Sequence, residues 1–212
     1  MKSAAVVSRP YHHGDLRRAL IDAAVSLVTE EQDWSFSLRE VARRAGVSHN
    51  APYNHFPEKR DLLAAVAAFG FEALRDDMIA SIDGITEAKI VLAAAAQAYV
   101  RFATSNPALF RLMFGPELAS SDGARPDLAE QAGAEAKNVL RGIISRGAIE
   151  GAFAVEDDKA SMASIAMAVL STWSAIHGLA MLIVDGRSDE AGTPNVLVDG
   201  VMQHFLDGLR KR

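Results

Sequence analysis

The stretch SLREVARRAGVSHNAPYNHFPEK, residues 37–59, decides the fold. Ser37 followed three residues later by Glu40 is a capping box, in which each side chain accepts the other residue's backbone N–H. Gly46 stands where a residue in the left-handed conformation ends a helix, and Ser48 can cap the helix that follows. The stretch therefore predicts two helices joined by a very tight turn.

Outside this stretch, helical periodicity continues in both directions. Apolar residues recur at three-and-four spacing, none alternate with polar residues in strand fashion, and Gly, Pro, Ser and Asp cluster between the periodic segments. We predict an all-α protein of about nine helices. Their expected bounds are 15–30, 37–45, 49–55, 57–82, 87–104, 107–114, 128–149, 158–184 and 195–209.

The charge divides between the two parts of the chain. Residues 1–60 hold nine Lys or Arg against seven Asp or Glu, a net +2, whereas residues 61–212 hold thirteen against twenty, a net -7. This split predicts a small, locally basic head on a larger acidic body. We expect a flexible arm over 1–14, a helix-turn-helix head over 15–65 with its fourth helix continuing to about 82, and a C-terminal helical bundle over 83–212.

A tight helix-turn-helix lets its second helix enter the major groove of double-stranded DNA while neighbouring residues hold the phosphates. Several side chains fit that task, because Asn can bind adenine through two hydrogen bonds and hydroxyl groups can reach a phosphate or a base edge. Lys59 is expected to anchor a phosphate. The candidate contacts are Ser37, Arg43, Arg44, Ser48, His49, Asn50, Pro52, Tyr53, Asn54, His55 and Lys59.

Residues 37–63 resemble the DNA-binding head of the tetracycline-repressor (TetR) family, and the match is dense over about residues 11–65. The resemblance implies that Tyr53, His55 and Lys59 contact the operator or its phosphates and that Phe56 packs the head. Pro52 departs from the family, since many members have an ordinary helix-forming residue there and proline removes one donor.

Structural roles remain open for some of these residues. Tyr53 could be half buried, His55 could be a plain surface residue, and Arg43 and Arg44 could form only a solvated face. In the arm, Arg9, His12 and His13 could reach a groove or phosphates.

The twenty-five residues 160–184 contain no Asp, Glu, Lys or Arg, and are long enough to span a membrane. Their serines and His177, and the lack of an excess of basic residues at either end, argue against that. One stripe of the segment is small and the other bulky, so we expect one side to pack its own subunit and the other a partner, together with the last helix. The expected homodimer interface comprises Ser164, Ala168, Ser171, Ala175, Gly178, Leu197, Val201 and Phe205.

Trp173, His177 and Gly178 form a W-x-x-x-H-G element that resembles a C-terminal subclass of the same family, known for a Trp-His-Gly signature. These side chains could line a pocket for a small hydrophobic or aromatic effector. The pattern on its own favours a packed Trp with a satisfied core His. The pocket itself is implied by the resemblance. Its candidate wall is Tyr99, Phe102, Phe110, Met113, Phe114, Leu140, Ile144, Met167, Trp173 and His177.

Other classes of function find little in the sequence. The chain has no cysteine, which excludes disulfides, thiolate zinc sites and cysteine nucleophiles and favours a cytoplasmic location. No Glu-x-x-His pair, Gly-x-Ser-x-Gly or phosphate-binding glycine loop is present, so we expect neither an enzyme nor a bound metal or cofactor. The sequence predicts a DNA-binding regulator, in the simplest case a repressor released by its effector; the alternative is a helical ligand-binding or adaptor protein without DNA activity.

Overall fold

The structure is a computed structural model that describes residues 13–119, 126–153, 162–188 and 192–208. Within those ranges every regular element is helical, as predicted, and there is no strand. The described ranges contain eight α-helices and two 3₁₀ helices, in agreement with about nine predicted helices. They are α1 His13–Glu31, α2 Leu38–Arg44, the 3₁₀ helix Ala51–Asn54, α3 Lys59–Ile82, α4 Ala88–Ser105, α5 Pro107–Phe114, the 3₁₀ helix Pro116–Leu118, α6 Asp127–Ile149, α7 Met162–Val184 and α8 Pro194–Gly208.

Some sequence predictions fall outside the described residues. They concern Arg9 and His12 in the arm, the first residues of the predicted 158–184 helix, and the last residue of the predicted 195–209 helix.

The turn after α2 has the predicted form. Gly46 takes φ +70°, a conformation that costs glycine little because it has no Cβ. Its N–H donates to the carbonyl of Arg43 at 3.2 Å, and the N–H of Val47 donates to the carbonyl of Ala42 at 3.0 Å. These two bonds make a Schellman motif, which satisfies the last carbonyls of α2 and turns the chain sharply.

The third helix differs from its prediction as an α-helix over 49–55. The structure has a four-residue 3₁₀ helix, Ala51–Asn54, at this place. An α-helix beginning after Ser48 would need the N–H of residue 52, and proline has none. The Ser48 carbonyl instead accepts from the N–H of Ala51 at 3.0 Å, and no side chain caps the 3₁₀ helix.

The starts of α2 and α3 also refine the predictions. Ser37 Oγ accepts from the Glu40 N–H at 3.2 Å, whereas the Glu40 carboxylate accepts from Arg43, so the Ser37 half of the capping box is the one present. Pro57 precedes α3 and does not lie in its first turn. Glu58 caps α3, and its N–H donates to the Asp61 carboxylate at 2.9 Å.

The 24-residue α3 joins the two parts of the molecule. Its first turns pack on α1 and complete the head, whose fully buried side chains include Leu20, Val41 and Phe56. Its later turns pack between α4, α5 and α6 in the body. A movement of α3 would therefore be transmitted from the body to the head.

Helix α7 lies against the body along one side only. Val169, Thr172, Ile176 and Ala180 are its buried residues, and the opposite side is open to solvent. By length and composition it is the one helix among the described residues that could cross a membrane. Since one side packs on α4 and α6 and the other carries serines, we interpret its open side as an unfilled protein interface.

Candidate nucleic-acid interface and interior cavity

The tight turn presents a run of exposed polar side chains. Ser48, His49, Asn50, Tyr53 and Asn54 are all exposed, and Tyr53 has 47% of its surface open to solvent. Hydroxyl, imidazole and amide groups are thus exposed within eight residues after Gly46, on either side of Ala51 and Pro52. This is the surface that a nucleic acid could reach without rearrangement of the head.

Lys59 occupies an unusual position as the first residue of α3. A positive charge at a helix N-terminus opposes the helix dipole, so this lysine does little for the stability of the helix. Its Nζ lies 5.1 Å from the centre of the Phe36 ring. Partial burial lowers the pKa of Lys59, and the carboxylate of Asp33 opposes that shift. An anion placed at this helix end would gain from both the ammonium group and the dipole.

Pro52 and Phe56 do not belong to the exposed surface. Both are buried, so Pro52 cannot touch DNA and acts only by shaping the turn, which corrects its place among the candidate contacts. Phe56 packs in the head, and the Arg17 guanidinium lies 5.3 Å from the centre of its ring. His55 is half buried beside it.

The remaining candidates in the head already have structural partners. Ser37 caps α2, and Arg43 forms an ion pair with Glu40 at 3.3 Å. Arg44 forms an ion pair with Glu30 and so connects α2 to the end of α1. Because Arg43 is exposed along most of its side chain, its weak surface pair could open at small cost.

A cavity of about 470 Å³ lies in the body between α3, α4, α6 and α7, within the size range of ligand sites. Apolar side chains from these helices and α5 form nearly all of its wall. The lining residues are Phe71, Leu74, Met78, Leu92, Ala95, Ala96, Tyr99, Met113, Phe114, Ala129, Glu130, Gly133, Ala134, Ala136, Lys137, Leu140, Trp173 and Ile176.

Half of the predicted wall lies on this cavity. Tyr99, Met113, Phe114, Leu140 and Trp173 line it. The other predicted residues are placed elsewhere by their helix phase, which the sequence did not reveal. Phe102, Phe110 and Ile144 are buried in the surrounding core, His177 lies just behind the wall, and Met167 is 63% exposed on the open side of α7.

Much of the cavity wall was not predicted from the sequence. Phe71, Leu74 and Met78 come from α3, which was predicted as the fourth helix of the head, and Glu130 and Lys137 come from the polar first turns of α6. The small residues Gly133 and Ala136 in that helix were the one available signal, since they leave room beside the wall.

His177 links α7 to α4. Its Nδ1 lies 2.9 Å from the Tyr99 hydroxyl, and its ring lies 4.5 Å from Phe114 and 5.5 Å from Trp173, centre to centre. Burial lowers the pKa of His177 and raises the pKa of Tyr99, so both groups are uncharged at neutral pH. The imidazole is therefore a hydrogen-bonded part of an aromatic cluster, with Trp173 as the member that reaches the cavity.

The predicted interface residues are distributed around the open side of α7 and α8. Ser171 and Gly178 are exposed. The others are partly covered within this subunit because the small stripe lies at the flank of the open side. These flanking residues are Ser164, Ala168, Ala175, Leu197, Val201 and Phe205. Met167, Leu170 and Ser174 are also exposed on this side.

Two family models match the chain. Residues 20–66 match the model described as bacterial regulatory proteins, tetR family, and residues 92–205 match the model described as tetracyclin repressor-like, C-terminal domain. The first match covers the exposed turn, and the second covers α7 and all of the cavity wall except Phe71, Leu74 and Met78 of α3.

Solved structures share the whole architecture. A Rhodococcus sp. RHA1 protein described as of unknown function is 30% identical with a TM-score of 0.80, covering 96% of this chain and 100% of that chain. A putative tetR family transcription regulator from Shewanella sp. PV-4 is 19% identical with a TM-score of 0.66, covering 93% and 99%. The transcriptional regulator FadR from Bacillus subtilis, solved in complex with stearoyl-CoA, is 20% identical with a TM-score of 0.66, covering 91% and 99%.

Proposed function

This chain belongs to the TetR family of bacterial regulatory proteins, and from that premise we propose that it is a cytoplasmic, homodimeric repressor released from a pseudo-palindromic operator by a small apolar effector. The observation that carries the proposal is the set of exposed polar residues Ser48, His49, Asn50, Tyr53 and Asn54 that follows the left-handed Gly46, with Lys59 at the start of the helix that leads into the body.

The proposed DNA contacts divide into two groups by chemistry. Ser48, His49, Asn50, Tyr53 and Asn54 offer groups that can hydrogen-bond base edges or phosphates. Lys59 offers a charge at a helix N-terminus, which suits a phosphate. Base contacts set the choice of sequence, whereas phosphate contacts set the affinity and its dependence on salt.

The body supports the proposed control by a ligand. Its apolar cavity has a size suited to one small molecule, and α3 runs from the cavity wall to the head. A ligand that favours one position of α3 would change the separation of two heads in a dimer, and DNA would change the affinity for that ligand by the same factor. One related fold was solved with stearoyl-CoA, a molecule with a long apolar chain.

The proposal is tested by the binding of purified protein to labelled DNA from upstream of its own gene. We expect affinity to fall steeply with salt, and Lys59→Gln to weaken binding by roughly tenfold. It should also reduce the salt slope by about one per subunit, because one phosphate contact is lost in each. The matched control is Arg141→Gln, an exposed cation on α6 in the body.

Equal effects of the two substitutions would refute Lys59 as a phosphate contact. Binding that is absent, or indifferent to salt, would refute DNA regulation and favour a ligand-binding or adaptor protein.

A further inference from the structure

The cavity wall carries charge at one place only. Among its lining residues the charged ones are Glu130 and Lys137, both on α6 and seven residues apart. Residues at this spacing lie on one face of a helix, two turns apart. With the exposed Ala134 between them, they mark the mouth of the cavity, where it opens to solvent.

The interior of the cavity offers few hydrogen-bonding groups to a ligand. The hydroxyl of Tyr99 is already hydrogen-bonded to His177 Nδ1 at 2.9 Å. The wall around it consists of aliphatic and aromatic side chains from α3, α4 and α5. A ligand's polar end is therefore best satisfied at the mouth, with its hydrocarbon part inside, because a polar group buried without a partner is costly.

The ammonium group of Lys137 is placed where it could bind that polar end. It is half buried, and its Nζ lies 4.7 Å from the centre of the Trp173 ring. No carboxylate within the described part of the chain forms an ion pair with it. Its charge is thus balanced only by an indole face, which is a weaker partner than an anion.

Glu130 could attract a cationic ligand, but two features oppose this. Glu130 is exposed, so solvent screens its charge. A ligand ammonium seeking the indole would also have to displace Lys137 and remain beside a like charge.

From this geometry, and resting on the proposed ligand control, we propose that the effector is an amphipathic carboxylate. Its carboxylate accepts hydrogen bonds from the Lys137 ammonium at the mouth, and its hydrocarbon chain fills the cavity against Trp173, Phe114 and Phe71. Binding replaces the contact between Lys137 and Trp173 with a charged hydrogen bond.

The test uses Trp173 as its own reporter. The chain has two tryptophans, so the full-length Trp34→Phe variant leaves Trp173 as the single one. Its emission is followed during titration with decanoate, decanol and decylamine, which share a chain and differ in the polar end. We expect decanoate to bind about tenfold more tightly than the other two, the effect of roughly one hydrogen bond to a charged group.

Substitutions at the mouth of the cavity then test whether Lys137 causes the preference for decanoate. Lys137→Gln should reduce decanoate to the affinity of decanol, Lys137→Arg should keep the preference, and Lys89→Gln, an exposed lysine on α4, should leave it unchanged. Glu130→Gln should not weaken decanoate. A preference that survives Lys137→Gln, or equal binding of decanoate and decanol, would overturn the proposal while leaving an apolar effector site in place.

Failure of all three ligands to change the Trp173 emission would overturn the carboxylate proposal together with the cavity as effector site. DNA binding is measured separately through the Lys59 comparison, so this result is distinguishable from failure of the regulator function.

Discussion

Two backbone properties shape the turn that we propose faces DNA: the positive φ of Gly46 and the missing N–H of Pro52. The first ends α2 with both Schellman hydrogen bonds, and the second prevents an α-helical bond to the Ser48 carbonyl. The result is a short, tightly wound 3₁₀ segment with Tyr53 and Asn54 exposed. We therefore propose that the choice of bases depends on this short 3₁₀ element and not on a full recognition helix.

At the same scale, His177 should make stability depend on pH. Burial holds its pKa in the folded protein below the ordinary value near 6.5, so the unfolded chain takes up a proton first as the pH falls. The contribution of the neutral His177 to the free energy of unfolding is therefore complete above about pH 6.5. It is lost as the pH falls through the lower pKa of the folded protein. Urea denaturation between pH 7 and pH 5 should show a shallower decline for His177→Gln than for the unaltered protein.

Parallel declines in the two proteins would contradict this assignment. The comparison cancels the titration of the other five histidines and of the carboxylates, because they are common to both chains.

Among the elements, α7 has two different sides. Val169, Ile176 and Ala180 pack on the body, and Met167, Leu170 and Leu182 are exposed large apolar residues. Exposed apolar residues that follow one helix face usually mark an interface. Ser171 and Gly178 of the predicted interface are exposed on this side, and so is Met167, which was predicted in the pocket wall.

Met167→Glu should produce a monomer, because it places a charge in the middle of the proposed interface. Light scattering with size-exclusion chromatography measures the mass, and circular dichroism checks that the helices persist. The control is Ile149→Glu at the end of α6, an even more exposed apolar residue at 83%.

We expect the control to remain a dimer. A dimeric Met167→Glu protein, or dissociation by both substitutions alike, would place the subunit interface elsewhere.

Sequence patterns predicted these elements unequally. The α5 bounds were predicted without error from Pro107 and Gly115, and those of α6 to within one residue, because helix signals are local. The 3₁₀ segment was not predicted, because the effect of the missing Pro52 N–H depends on the residue at which the turn after α2 ends and the next helix begins. Pocket residues were the hardest, because whether Phe110 or Phe71 faces the cavity depends on how helices distant in sequence pack together.

On the scale of the whole molecule, the division of charge between head and body affects how the protein is oriented toward DNA. The first 60 residues carry a net +2 and the remainder a net -7, so DNA is attracted to the head and repelled by the body. Two heads joined through their bodies would lie on one face of a duplex. A ligand in the cavity could then act only by changing the spacing of the heads, through α3.

Hydroxyl-radical footprinting of the protein on its upstream DNA tests this central claim most directly. We predict two protected half-sites with centres about 34–36 Å apart, one helical turn, and loss of both together on Met167→Glu. A single protected half-site that is unaffected by Met167→Glu, or no protection at low salt, would contradict the account of a dimer that binds DNA through the turn after Gly46.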